Sequence, residues 1–176
     1  MKRISGFLLV GVTVTLGLIA VPAYAESTPM TEAHIERIRD NCVDAQSVLT
    51  QLHASDALLR VNRGQLYESI STKLMAPFNS RVALNKYDGS KLIEQSATYE
   101  RQLDDFRSSY KSYDEAMTKA LKINCVNEPV AFYDSVADAR TKRQAVHQST
   151  LALQETLQNY KDQFETFAGT IRGKKQ

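Results

Sequence analysis

Residues 92–120 read LIEQSATYERQLDDFRSSYKSYDEAMTKA. Leu92, Ser96, Tyr99, Leu103, Phe106, Tyr110, Tyr113, Met117 and Ala120 follow one another at alternating steps of four and three. Such steps place every one of these side chains on a single stripe of a helix, whereas a strand would alternate at every second residue. Holding the pattern over so many turns points to left-handed coiled-coil packing.

Two flanking segments carry the same rhythm. Upstream, the series runs from Ile35, Ile38 and Cys42 through Leu49, Leu52, Leu59 and Leu66 to Ile70, with Asp56, Arg63 and Lys73 as polar interruptions. Gly64 lies inside this series without shifting its phase, so the segment reads as one helix. Downstream, the series runs from Phe132, Val136 and Ala139 through Val146, Leu153 and Leu157 to Tyr160, Phe164, Phe167 and Ile171, interrupted by Arg143 and Thr150. Pro77, Asn79 and the run Asn85-Lys86-Tyr87-Asp88-Gly89 separate the first two stripes, and Asn124 to Pro129 separates the second from the third. The expected fold is all-α, an elongated antiparallel three-helix bundle with heptad packing. Its helices cover about residues 31–75, 90–123 and 129–171, and a connection covers 76–89.

The ends read differently. Lys2 and Arg3, an uncharged apolar run from Phe7 to Val21, and Ala23-Tyr24-Ala25 form the three zones of a secretory signal peptide over residues 1–25, with cleavage before Glu26. The apolar run is shorter than a usual membrane span, and a retained N-terminal anchor is the lesser alternative. The protein is thus expected to be exported, to a periplasm, an envelope surface or the medium, as one domain over 26–171. Lys2 and Arg3 account for the whole excess of 22 basic over 20 acidic residues. A neutral mature chain has no electrostatic reason to bind nucleic acid. Arg172, Lys174 and Lys175 make a small basic tail at residues 172–176.

Cys42 and Cys125 are the only cysteines. Two cysteines in an oxidising compartment suggest a structural disulfide, with intermolecular bonds as an alternative. Redox chemistry would need closely spaced reactive thiols, which are absent. The bond also serves as a ruler. Helix advances about 1.5 Å per residue, so Cys42 to Met75 rises about 50 Å and Ser90 to Ile123 returns by the same amount. This equality requires residues 76–89 to gain little height; a first helix unbroken to Asn85 would leave Cys125 about 15 Å short.

No catalytic, metal or cofactor motif is present. His34, His53 and His147 have no metal-ligand spacing, the glycines form no phosphate loop, and no serine sits in a nucleophile elbow. No cofactor and no enzymatic activity are expected. The ruler brings Asp56, Tyr110 and Arg143 to one level of the bundle interior. That layer is read first as an ion pair with a tyrosine hydroxyl that fixes helix register, and second as a ligand site in the core. Leu74, Met75, Phe78, Val82 and Leu84 cluster around Pro77, in a connection longer and more apolar than such turns usually are. They are read as a cap over the end of the bundle, or as a contact for a protein partner or, with weaker support, a membrane interface. The expectation is a non-enzymatic protein that works through contacts with an unidentified protein partner, the alternative being a small-ligand carrier. The stripes could equally pair between chains, which leaves a homo-oligomer open.

Overall fold

The computed structural model describes residues 30–173. The expected signal peptide, its cleavage position and Lys174 to Gln176 of the basic tail lie outside the described residues. All the regular structure among the described residues is helical: α1 (Glu32–Asp40), α2 (Cys42–Ser69), a π-wound segment (Ile70–Met75), α3 (Ala76–Leu84), α4 (Ser90–Lys122) and α5 (Pro129–Gly173). The central stripe behaves as the heptad spacing predicts. Eight of its nine residues, all but Ser96, are buried along one face of α4. α5 packs closely along α4 and buries Phe132, Ala139, Leu153 and Tyr160. Arg172 belongs to the end of α5, so the expected tail begins later than residue 172.

The first leg departs from its reading in two places. The expected single helix over 31–75 is interrupted at Asn41, whose backbone leaves helical geometry (φ −100°, ψ 11°) while its side-chain Nδ2 donates to the Arg37 carbonyl at 2.8 Å. Asparagine competes for backbone hydrogen bonds in this way and so favours helix ends. The connection expected over 76–89 is also shorter, because the chain stays helical from Ala76 to Leu84. Proline lacks an amide hydrogen, and its ring would meet the carbonyl four residues earlier, here that of Lys73. The chain answers with the π-wound turn immediately before, a distortion that opens the ladder instead of ending it.

The true turn is Asn85 to Gly89. Lys86 adopts a left-handed conformation (φ 58°), its amide donates to Ala83 O at 3.0 Å, and the Tyr87 amide donates to Val82 O at 3.1 Å. This pair of bonds is a Schellman cap, with lysine where glycine is usual. At Gly89 a Cβ would lie 2.7 Å from Cγ1 of Val82, so close approach requires the glycine.

Cys42 and Cys125 are joined by a disulfide with Cα atoms 5.5 Å apart. The ruler forbade this for a helix reaching residue 85, so the surplus length of the first leg has to be absorbed. The π-wound turn advances less per residue, and Ile123 is extended (φ −77°, ψ 132°), which lengthens the return leg. α2 touches α4, but none of its Cα atoms comes within 8 Å of one in α5.

Candidate binding groove

Because α2 stands off from α5, the two helices form the walls of a groove whose floor is α4. Phe106, Tyr110 and Tyr113 supply the floor, and the groove has a volume of about 530 Å³. The expected polar layer lies here. Arg143 on α5 crosses the gap to Asp56 on α2, with Nε donating to Oδ2 at 2.6 Å and a terminal nitrogen donating to Oδ1 at 3.0 Å. A two-pronged guanidinium–carboxylate pair is among the stronger protein hydrogen-bond arrangements. Asp56 is largely covered, whereas Arg143 is half exposed at the groove mouth.

The hydroxyl that completes the layer is not the expected one. Tyr113 Oη donates to Asp56 Oδ2 at 2.7 Å, while the hydroxyl of Tyr110 is buried without a hydrogen-bond partner. Tyr110 sits nearby with its ring beneath the Arg60 guanidinium, 5.2 Å from ring centre to Cζ. Burial alone would raise the carboxyl of Asp56. The hydrogen bonds from Arg143 and Tyr113, together with the charge of Arg143, outweigh it and hold Asp56 below the usual carboxylate range. Burial, and donation to Asp56, raise Tyr113 and keep it protonated.

Sequence reasoning named Arg143 for this layer and Arg63 only as a break in the first stripe, and it missed Arg60 and Arg140. Arg60 and Arg63 on α2 and Arg140 and Arg143 on α5 all line the groove, and Asp56 is the one carboxylate lining it. The signal was present: two arginines three residues apart share a helix face, and the pattern occurs once on each wall. Arg140 also borders a mostly apolar trough of about 550 Å³, walled by Ile38, Val48 and Leu49 on one side and Phe132, Tyr133 and Val136 on the other, with Arg37 and Asp44 also in its lining. Val48 and Leu59 of α2, both exposed, line the trough and the groove respectively.

The apolar cluster around Pro77 is divided by the structure. Met75 (1% exposed) and Val82 (5%) are interior, and Phe78 stacks edge-on against Phe164 and Phe167 at 5.0 and 5.8 Å. These three close the end of the helices, so as a surface the cluster reduces to Leu74 (63%) and Leu84 (81%). Among the described residues no group of three or more His, Cys, Asp or Glu side chains is placed to hold a metal ion, and no helix is long and apolar enough to cross a membrane. No family model, no curated protein and no solved structure matches the chain.

Proposed function

We propose that the protein is an exported, non-enzymatic binding protein that carries a small ligand in the groove between α2 and α5. In this reading the fold is an elongated antiparallel three-helix bundle, with heptad packing where α4 meets its neighbours and an opened seam where α2 and α5 would otherwise meet. The observation that carries it is the placement of the Asp56–Arg143 pair and the unpartnered Tyr110 hydroxyl around a groove large enough for a small molecule. Ligand sites are concave and mostly apolar, with a few polar groups that fix orientation, and this lining has that composition.

The test is mass spectrometry under non-denaturing conditions on the protein isolated from its own source. Retention of a small molecule by the native protein, and its loss when Leu59 and Val146 are both changed to Glu, would support carriage. A native protein with no adduct that also fails to take up any apolar or amphiphilic probe would overturn it.

A second reading rests on Leu74 and Leu84, which remain exposed near the turn after α3. Here the protein works through contact with a partner protein at that end. Cross-linking with wild-type protein and with Leu74→Ser/Leu84→Ser as parallel baits separates the readings. A partner captured only by the wild type would favour the tip over the groove.

A further inference from the structure

The geometry points to a ligand of one chemical class: a single-chain anionic amphiphile, its head on Arg60, Arg63 and Arg140 and its apolar chain along the trough toward Phe132. This inference rests on the groove being the binding site. Its first ground is charge. Four guanidiniums line the groove against one carboxylate, and that carboxylate is already bound to Arg143. Arg60, Arg63 and Arg140 form no salt bridge among the described residues. These three positive charges line the cleft without a carboxylate partner, and an anionic head group would supply one. Arginine, with its planar fork of donors, suits a carboxylate or phosphate better than lysine would.

The second ground is shape. Arg140 borders both the cationic groove and the mostly apolar trough, so the two are joined at one residue, and the pair Arg37 and Asp44 adds no net charge to the trough. From Phe132 to Gln154 the α5 wall runs about 33 Å at 1.5 Å per residue, an elongated cleft suited to one extended chain. A wholly hydrophilic anion would leave the Ile38, Val48, Phe132 and Val136 walls of the trough unused, and a neutral oil would leave the arginines uncompensated. The third ground is independent of both: Tyr110, 8% exposed, lines the groove and keeps a buried hydroxyl that nothing in the protein satisfies. Buried polar groups ordinarily have partners, and unpaired ones call for an explanation.

The test uses the full exported protein and a matched pair of fluorescent probes, dansylaminoundecanoic acid and its methyl ester, which differ only in the charge of the head. The acid is expected to bind about tenfold more tightly than the ester, the order expected for a hydrogen bond to a charged group. Added salt should weaken the acid and leave the ester nearly unmoved, because screening acts on charge. In Arg63→Gln/Arg140→Gln, which leaves the Asp56–Arg143 pair intact, the gap between acid and ester should close, with unfolding by circular dichroism as the control for folding. Should that variant fail to fold, the salt series on the wild type decides alone. Equal binding of acid and ester, insensitive to salt, would overturn the anionic head while leaving carriage in the groove standing. Failure of both probes would overturn the carrier reading as well. Co-sedimentation with phosphatidylglycerol vesicles without uptake of the dissolved acid would replace the inference with a membrane-surface contact.

Discussion

Asp56 shows how a single carboxylate can be both a structural tie and a pH sensor. Its ionised form accepts from Arg143 twice and from Tyr113 once, joining the three helical legs at one level. A carboxyl held below its unfolded value of 3.8 contributes stability that is fully present above that pH. The contribution is lost as pH falls through the lower folded value. Asp56→Asn is therefore expected to cost about 1–2 kcal/mol at neutral pH, a figure kept modest because Arg143 is half in water. The cost should shrink as pH falls through that lower folded value and the wild-type carboxyl becomes protonated as well. Urea unfolding of both proteins from pH 7 down to pH 2.5 checks this. A difference that stays constant over the range would mean that the charge on Asp56 contributes nothing.

At the scale of the helix, the turn after α3 offers a prediction of opposite sign. Lys86 holds the left-handed position of a Schellman cap, where any residue with a Cβ is strained by about 1 kcal/mol and glycine is not. Lys86→Gly should raise stability by about 0.5–1 kcal/mol, the gain limited by the greater freedom of glycine in the unfolded chain. A higher urea midpoint at unchanged slope is the expected result, and a lower midpoint would mean that the lysine side chain holds the turn. Legibility also differed by helix. α4 was readable because both its neighbours press on one face, so a strict stripe from Leu92 to Ala120 maps onto burial. α2 was not: Leu59 and Leu66 sit on the spacing yet face solvent, while Tyr67, one residue on, is inside. An undistorted helix drifts about 20° per heptad from a strict seven-residue repeat. The π-wound turn moves the phase again, burying Ser71 and Met75 fully while Ile70, on the spacing, is half-buried against the core. Asp56 and Arg143 could be paired from spacing because both sit early enough in the register to escape that drift. The choice between Tyr110 and Tyr113 could not be made, since both belong to the same stripe. The groove was hidden for another reason: heptad spacing tells which side of a helix faces inward, not how far from its neighbour the helix stands.

Over the whole molecule, stability is divided unevenly, and the disulfide lies on the weaker side of the division. α4 and α5 form one long close-packed hairpin, whereas α1 buries no residue at all and α2 buries only Cys42 and Tyr67. The lower end of the first leg is held by the cluster in which Cys42, Cys125 and Phe132 are packed by Ile38, Ala45, Leu49 and Val136. The bond closes a loop with a sequence separation of 83 residues, and the chain-entropy argument assigns such a loop about 4.5 kcal/mol. Replacing both cysteines by serine should remove most of that from the global stability. The loss should also be local in the native state. Amides of residues 32–52 are expected to exchange far faster in Cys42→Ser/Cys125→Ser than in the wild type, because beyond the bond and its cluster they are held chiefly by Leu49 and Leu52 on the middle core and by Gln46 donating to Ile123 O. Amides in the facing stretches of α4 and α5 should fall only by the drop in global stability. Hydrogen exchange read by mass spectrometry separates these regions. Uniform loss of protection along the chain would mean instead that the first leg and the hairpin unfold as one unit. The groove would then owe its open seam to the fold as a whole rather than to a loosely held wall. Wild-type chains linked to one another on non-reducing electrophoresis would place the bond between molecules and overturn the argument at its root.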